Sequence, residues 1–256
     1  MHFHTTETVC AITGTHPANL KRWVKRGVLT SRQNSDKWSD AQLSEIYILA
    51  GLTATGATLD EIRQGQQTAS TVITHGWAAR KGDMLWQLEF GSSLSLSRQM
   101  NNMSSNYSGD DFIINLLRPL SVWLYADRRQ GASRRLERFE KTVQQQAGKV
   151  MRDAARNDDS VPLFLEAVSV MDKTEIWLEA IRLTAMGFTV EVDASASGLP
   201  AFNTGRHEHH VMWCGAGINP VMQDYFEQRR HDGHPVMLSG PDCGRNLVRS
   251  PSSSAA

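Results

Sequence analysis

The chain has 256 residues, 40% of them hydrophobic and 21% charged, and 27 Lys and Arg balance 27 Asp and Glu. That length suits two or three small folded units, and that composition excludes a wholly disordered chain. A formal net charge of zero excludes a uniformly basic nucleic-acid coat, so any phosphate-binding surface has to be local.

The run from Thr8 to Gly14 predicts a short helix stopped by glycine. Thr15-His16-Pro17 restarts the chain, with Pro17 suited to a first helical position. A second helix follows through Asn19 to Arg26, and Gly27 ends it. Leu20, Trp23 and Val24 share one face of it at i, i+3, i+4, while Lys21, Arg22, Lys25 and Arg26 take the rest. This is helix–turn–helix patterning, with one face buried and cations turned outward. Between His16 and Trp38 six cations (Lys21, Arg22, Lys25, Arg26, Arg32, Lys37) face one anion, Asp36. A concentrated positive patch on a neutral chain is what phosphate binding needs.

Further along, residues 67–158 are polar and helix-prone. Asp110 to Leu120 predicts a helix containing Pro119, and Ser133 to Arg156 a charged amphipathic helix of the kind that covers a bundle core. From 159 to 242 strand-like and helical runs alternate. Strands are expected at Pro162–Ser169, Phe188–Val192, His210–Cys214 and Pro235–Leu238. Between them fall a helix capped by Asp172 and ended by Gly187, and another from about Asn219 to His231. Such alternation implies a mostly parallel sheet with crossover helices. Residues 243–256 are low in complexity and expected to be disordered.

No apolar run approaches the roughly 20 residues of a membrane helix, and Met1 to Thr5 has neither the basic segment nor the apolar stretch of a secretory signal. Cys10, Cys214 and Cys243, odd in number and widely spaced, do not make a disulfide framework. A cytoplasmic protein without membrane association is the expectation.

The segment Val9 to Leu29, with its Gly14, Pro17 and Lys-Arg-Trp-Val-Lys-Arg-Gly sequence, resembles the winged helix–turn–helix opening of MerR-type regulators. Trp38 to Ile46 is similar to the start of their third helix, and Ala50 to Arg63 to the glycine-then-helix pattern that closes that domain. The family's wing carries a Gly-Gly-x-Arg-aromatic hairpin. Here Arg32 to Trp38 is shorter and lacks glycine, with Lys37 and Trp38 standing in for the arginine and the aromatic. Asp172 to Leu183, Gly187 to Val192 and Val211 to Gly215 resemble the carboxy-terminal domain of the MlrA-type subgroup, and Asp110 to Leu120 a helix of its central bundle.

The resemblance implies a multidomain α and α/β fold. Residues 1–66 form the winged helix–turn–helix, 67–158 the helical linker or bundle, 159–242 a Rossmann-like α/β domain and 243–256 the tail. It also implies a homodimer on double-stranded promoter DNA, with biofilm, curli or stress genes as targets. DNA contact is expected from Asn19, Lys21, Arg22, Lys25, Arg26, Arg32, Lys37 and Trp38.

The carboxy-terminal domain has the architecture of cobalamin-binding modules, which present a histidine ligand in an Asp/Glu-x-His-x-x-Gly pattern after the first strand. Here Thr174 stands at the histidine position and Trp177 at the glycine position, and Glu137 to Met151 contains no histidine. A degenerate domain without cofactor is expected, serving dimerisation or docking of a protein partner. His207-Glu-His-His210 with Cys214 has no closed four-ligand zinc spacing. Gly215-Ala-Gly217 before Asn219-Pro220 is only a weak phosphate-loop pattern. With no nucleophile–base set in view, an enzyme built on the α/β domain is the least supported class. A regulator whose carboxy-terminal pocket takes a small molecule or metal stays open as an alternative.

Overall fold

A computed structural model describes residues 3–30, 37–68, 76–157, 159–201, 207 and 209–243. It divides into two compact units, Met1–Gln146 and Ala147–Ala256. The expected tail beyond Cys243 lies outside the described residues.

In the first unit β1 (Phe3–Thr5) runs into α1 (Thr6–Thr13), where the Thr5 hydroxyl accepts from the Thr8 amide. Gly14 closes α1 at φ 66°, a left-handed conformation that glycine adopts without a steric clash. After the short turn, α2 (Pro17–Lys25) is capped by His16, whose Nδ1 accepts from the Ala18 amide at 3.2 Å. Next, β2 (Lys37–Ser39) pairs antiparallel with β1, setting Thr5 opposite Lys37 and Phe3 opposite Ser39. Ser39 then forms a reciprocal capping box with Gln42 at the start of α3 (Asp40–Ala54). The third helix therefore begins at Asp40 rather than Trp38, because Trp38 and Ser39 are spent on strand pairing. The turn at Gly56 leads to α4 (Leu59–Thr68), whose first amides are held by Thr58 and Glu61. Val9, Leu20, Trp23, Trp38, Ile46 and Ile62 meet in the core beneath.

The remaining helices are α5 (Gly76–Phe90), α6 (Ser93–Asn106), α7 (Arg118–Ala126) and α8 (Ala132–Ala154). A π-helical stretch, Asp111–Leu117, runs straight into α7. Pro119 gives its cause: proline cannot donate to the carbonyl four residues back and its ring crowds that carbonyl, so the preceding turn widens. Arg118 accordingly bonds to the Ile113 carbonyl, five residues back. Arg138 donates to the Leu88 and Gly91 carbonyls, acceptors left open where α5 ends.

The second unit carries a four-stranded parallel sheet in the order β4-β3-β5-β6, from β3 (Val161–Ser169), β4 (Phe188–Asp193), β5 (His209–Cys214) and β6 (Val236–Ser239). The α/β alternation legible in the sequence is present. Both faces are buried, as parallel sheets require. Leu163, Leu165 and Ala167 pack against Ile176, Ala180 and Leu183 of α9 (Glu175–Ala185). On the other face Val168, Met212 and Cys214 meet Ile218 and Met222 at the start of α10 (Pro220–His231). Asp172 Oδ1 accepts from the Thr174 and Glu175 amides, and Asn219 Oδ1 from Met222, so both helices start where capping side chains put them. Among the described residues no helix is long and apolar enough to cross a membrane.

Candidate nucleic-acid interface

Burial of Leu20 and Trp23, each 1% exposed, fixes which way α2 faces. Lys21 and Lys25, four residues apart and so on one ridge, are consequently exposed. Neither has an ion-pair partner among the described residues. Asn19 and Arg26 lie together further round the helix, beyond Arg22, and are half-buried. Lys37 is exposed on β2 beside Thr5. The positive end of this surface thus consists of side chains on short elements whose backbone is pinned by caps and strand pairing. Arg32 lies outside the described residues.

Two of the expected contacts are placed differently. Trp38 is 5% exposed, and its indole N–H donates to Thr6 Oγ1 at 2.9 Å. It packs into the core of this region and fastens β2 to α1, so it offers no face to DNA. Arg22 sits on the polar side of α2, yet its guanidinium turns inward and donates through Nη1 to the Tyr107 carbonyl. Its Nε and Nη2 are also shut off from solvent. Burial pulls its pKa down to about 10 against the opposing pull of Asp111. Sequence reasoning could not see this because the acceptor is a backbone carbonyl 85 residues away.

In the second unit the strand order reverses direction between β3 and β5, where open parallel sheets commonly admit ligands at the carboxyl ends of the strands. Here the chain's own groups occupy that crevice. Glu175 Oε2 accepts from the Trp213 indole and the Met171 amide, each at 3.3 Å. A Cβ on Gly215 would press on that carboxylate and stand 3.0 Å from the Ser169 carbonyl oxygen and 3.1 Å from Val170 Cα, so glycine suits the loop's close approach to the strand. The Gly215–Gly217 loop is bonded back to the strand, with the Gly215 amide on the Ser169 carbonyl at 2.8 Å and the Ala216 amide on Ser169 Oγ at 3.0 Å. A carboxylate in this position repels phosphate. Thr174 is 1% exposed with its hydroxyl on Asp172, and Trp177 packs against the apolar cluster under α9. The residues described do not fit cobalamin: Thr174 offers no imidazole at the ligand position, and Glu175 and Trp213 stand in the crevice.

Among the described residues no group of three or more His, Cys, Asp or Glu side chains is arranged to hold a metal ion. Burial pushes the Cys214 thiol up to about 12. His210, expected to begin a strand, is inside β5 and 2% exposed, and its Nε2 lies 2.9 Å from Glu166 Oε2. Glu166 is the buried polar residue that sequence reasoning missed. Its signal was a carboxylate between Phe164 and Val168 on a strand face that is otherwise apolar.

A capped helix–turn–helix with outward lysines, followed by a separate α/β unit, defines a DNA-binding regulator with its own accessory domain. Residues 5–67 match the MerR HTH family regulatory protein family, and residues 157–236 match the family described as transcriptional regulator MlrA, C-terminal domain. Together the two matches span more than half of the chain, which belongs to the MerR-type regulators of the MlrA-like kind. No curated protein matches the chain. Both matched families are domains of transcriptional regulators, not of enzymes.

Proposed function

We propose that the chain is a sequence-specific promoter-binding regulator that acts as a homodimer and reads DNA with α2. The observation that carries this reading is the exposed Lys21–Lys25 ridge, held outward by the burial of Leu20 and Trp23. Asn19 and Arg26 at the same helix and Lys37 on β2 are further candidate contacts, and Arg32 lies in the adjoining segment where a shortened wing is expected. A dimer supplies the two-fold footprint that one short helix cannot. Biofilm, curli or stress promoters are the target class that the MlrA-like kinship suggests.

Selection of duplexes from a random pool by the full chain should recover a two-fold-symmetric motif, and a pool left unenriched would reject sequence-specific binding. On the selected duplex, each phosphate contact adds about −0.9 to the slope of log affinity against log salt. The Lys21→Gln/Lys25→Gln variant should therefore flatten the slope by about 1.8. An unchanged slope removes the ridge from the interface.

The α/β unit serves dimerisation or docks a protein partner, without cobalamin. Glu175 in the crevice and Thr174 at the ligand position support this. After mixing with hydroxocobalamin and desalting, the protein should show no corrin absorbance. A stoichiometric corrin spectrum would instead favour a ligand-responsive regulator.

A further inference from the structure

Tyr107 closes α6, and its carbonyl, like other carbonyls at a helix end, has no partner within the helix. Arg22 of α2 supplies that partner. The Tyr107 ring is 1% exposed, and its hydroxyl donates to the Gly56 carbonyl at 3.0 Å, in the turn between α3 and α4. Trp77 packs against it with ring centroids 4.6 Å apart and ring planes tilted by 50°, and donates its indole N–H to the Ala54 carbonyl at 3.0 Å. One residue thus touches the helix–turn–helix at two places, through its carbonyl at α2 and through its hydroxyl behind α3. Asp111, at the start of the π-helical stretch, is the carboxylate that acts on Arg22.

We infer that Arg22 is a positioning residue and that the Tyr107–Asp111 corner sets the pose of the DNA-reading helix. The inference rests on the reading of α2 as that helix. Two facts favour positioning over contact. The three guanidinium nitrogens are committed to the interior, one to the Tyr107 carbonyl and two out of reach of solvent. Burial also opposes the charged form at both groups, since Arg22 is pulled below and Asp111 raised above its ordinary value, while the Asp111 carboxylate is itself held by the Ser108 hydroxyl at 2.7 Å and the Asn115 amide at 3.1 Å. The Arg22–Tyr107 bond beside that fixed carboxylate restricts α2 to one orientation. Pro119 fixes the π-helical turn beside it, and a signal that shifted the helices following Tyr107 would move Asp111 relative to Arg22 and so has a physical route to α2.

The test uses full-length variants on the duplex selected above. Arg22→Gln should bind about tenfold more weakly at fixed salt, equivalent to about 1.4 kcal/mol, with the salt slope unchanged. Arg22→Lys, which keeps a donor and a charge, should recover part of that loss. Asp111→Asn should share the loss, and the double variant should lose no more than the worse single one, because both break one joint. A slope flattened by about 0.9 in Arg22→Gln would make Arg22 a phosphate contact and overturn the inference, as would unchanged affinity or full additivity. Amide hydrogen exchange provides a readout without DNA. Exchange across α2 should accelerate about tenfold in both single variants while α9 keeps its rate, and equal rates would overturn the inference. Failure of the wild-type chain to bind any duplex would instead reject the DNA reading and leave the exchange result to decide the joint.

Discussion

Trp23→Ala is expected to be the most damaging single substitution in the first unit, at about 3–5 kcal/mol. Trp23 is 1% exposed and lies in the same cluster as Val9, Leu20, Ile46 and Ile62, so its removal opens a cavity shared by α1 to α4. A loss of that size is a large part of the 5–15 kcal/mol that holds an ordinary domain folded. DNA affinity should fall with it, since the same side chain fixes the direction of the Lys21–Lys25 ridge. Phenylalanine separates packing from hydrogen bonding. The Trp23 indole N–H is buried without a partner among the described residues, whereas that of Trp38 donates to Thr6. Trp23→Phe removes an unsatisfied donor and Trp38→Phe breaks a bond, so Trp38→Phe should be the costlier by about 1 kcal/mol. Denaturant midpoints followed by near-ultraviolet dichroism measure both, and the reverse order would contradict this account.

What the sequence made legible was local. Gly14, Pro17 and Gly27 mark helix ends through backbone preferences that need no neighbour, and each lies at the end it was expected to define. Asp172 and Asn219 announced helix starts for the same reason. The alternation of apolar runs was enough to predict a parallel sheet, because a strand buried on both faces has few ways to be polar. Most of the failures are long-range. The pairing of β1 with β2 joins residues more than thirty positions apart and drew Trp38 into a core instead of a surface. Arg22 obeyed the helical wheel, but part of the polar face is covered by a segment that the wheel cannot contain. The π-helical turn before Pro119 reflects a clash that was legible in principle, although proline alone does not say whether a helix kinks, stops or widens. The histidines near β5 are metal-ligand types whose spacing closes no four-ligand site. The structure instead gives His210 a carboxylate partner from β3.

That partner, Glu166, should be the most sensitive polar position of the second unit. It is 2% exposed on the sheet face toward α10 and satisfies two donors at once. Oε2 holds His210 Nε2 at 2.9 Å, and Oε1 accepts the Ala201 amide at 2.7 Å from the connection between β4 and β5. No helix is assigned in that connection among the described residues, and the carboxylate fastens its backbone to the sheet while Asn219 Nδ2 donates to the Gly198 carbonyl at 3.0 Å. Glu166→Ala strands both donors in an apolar layer and is expected to cost about 3–5 kcal/mol. Glu166→Gln keeps an oxygen for Ala201, but its amide can donate to His210 only with the ring proton moved to Nδ1, which is buried without a partner among the described residues. It should therefore cost about 1–2 kcal/mol, less than the alanine variant. The urea midpoint, read by tryptophan fluorescence at constant m-value, distinguishes the two variants. Equal losses would mean that the hydrogen bonds do not hold this face together, and a stable Glu166→Ala variant would mean that the connection is fastened elsewhere.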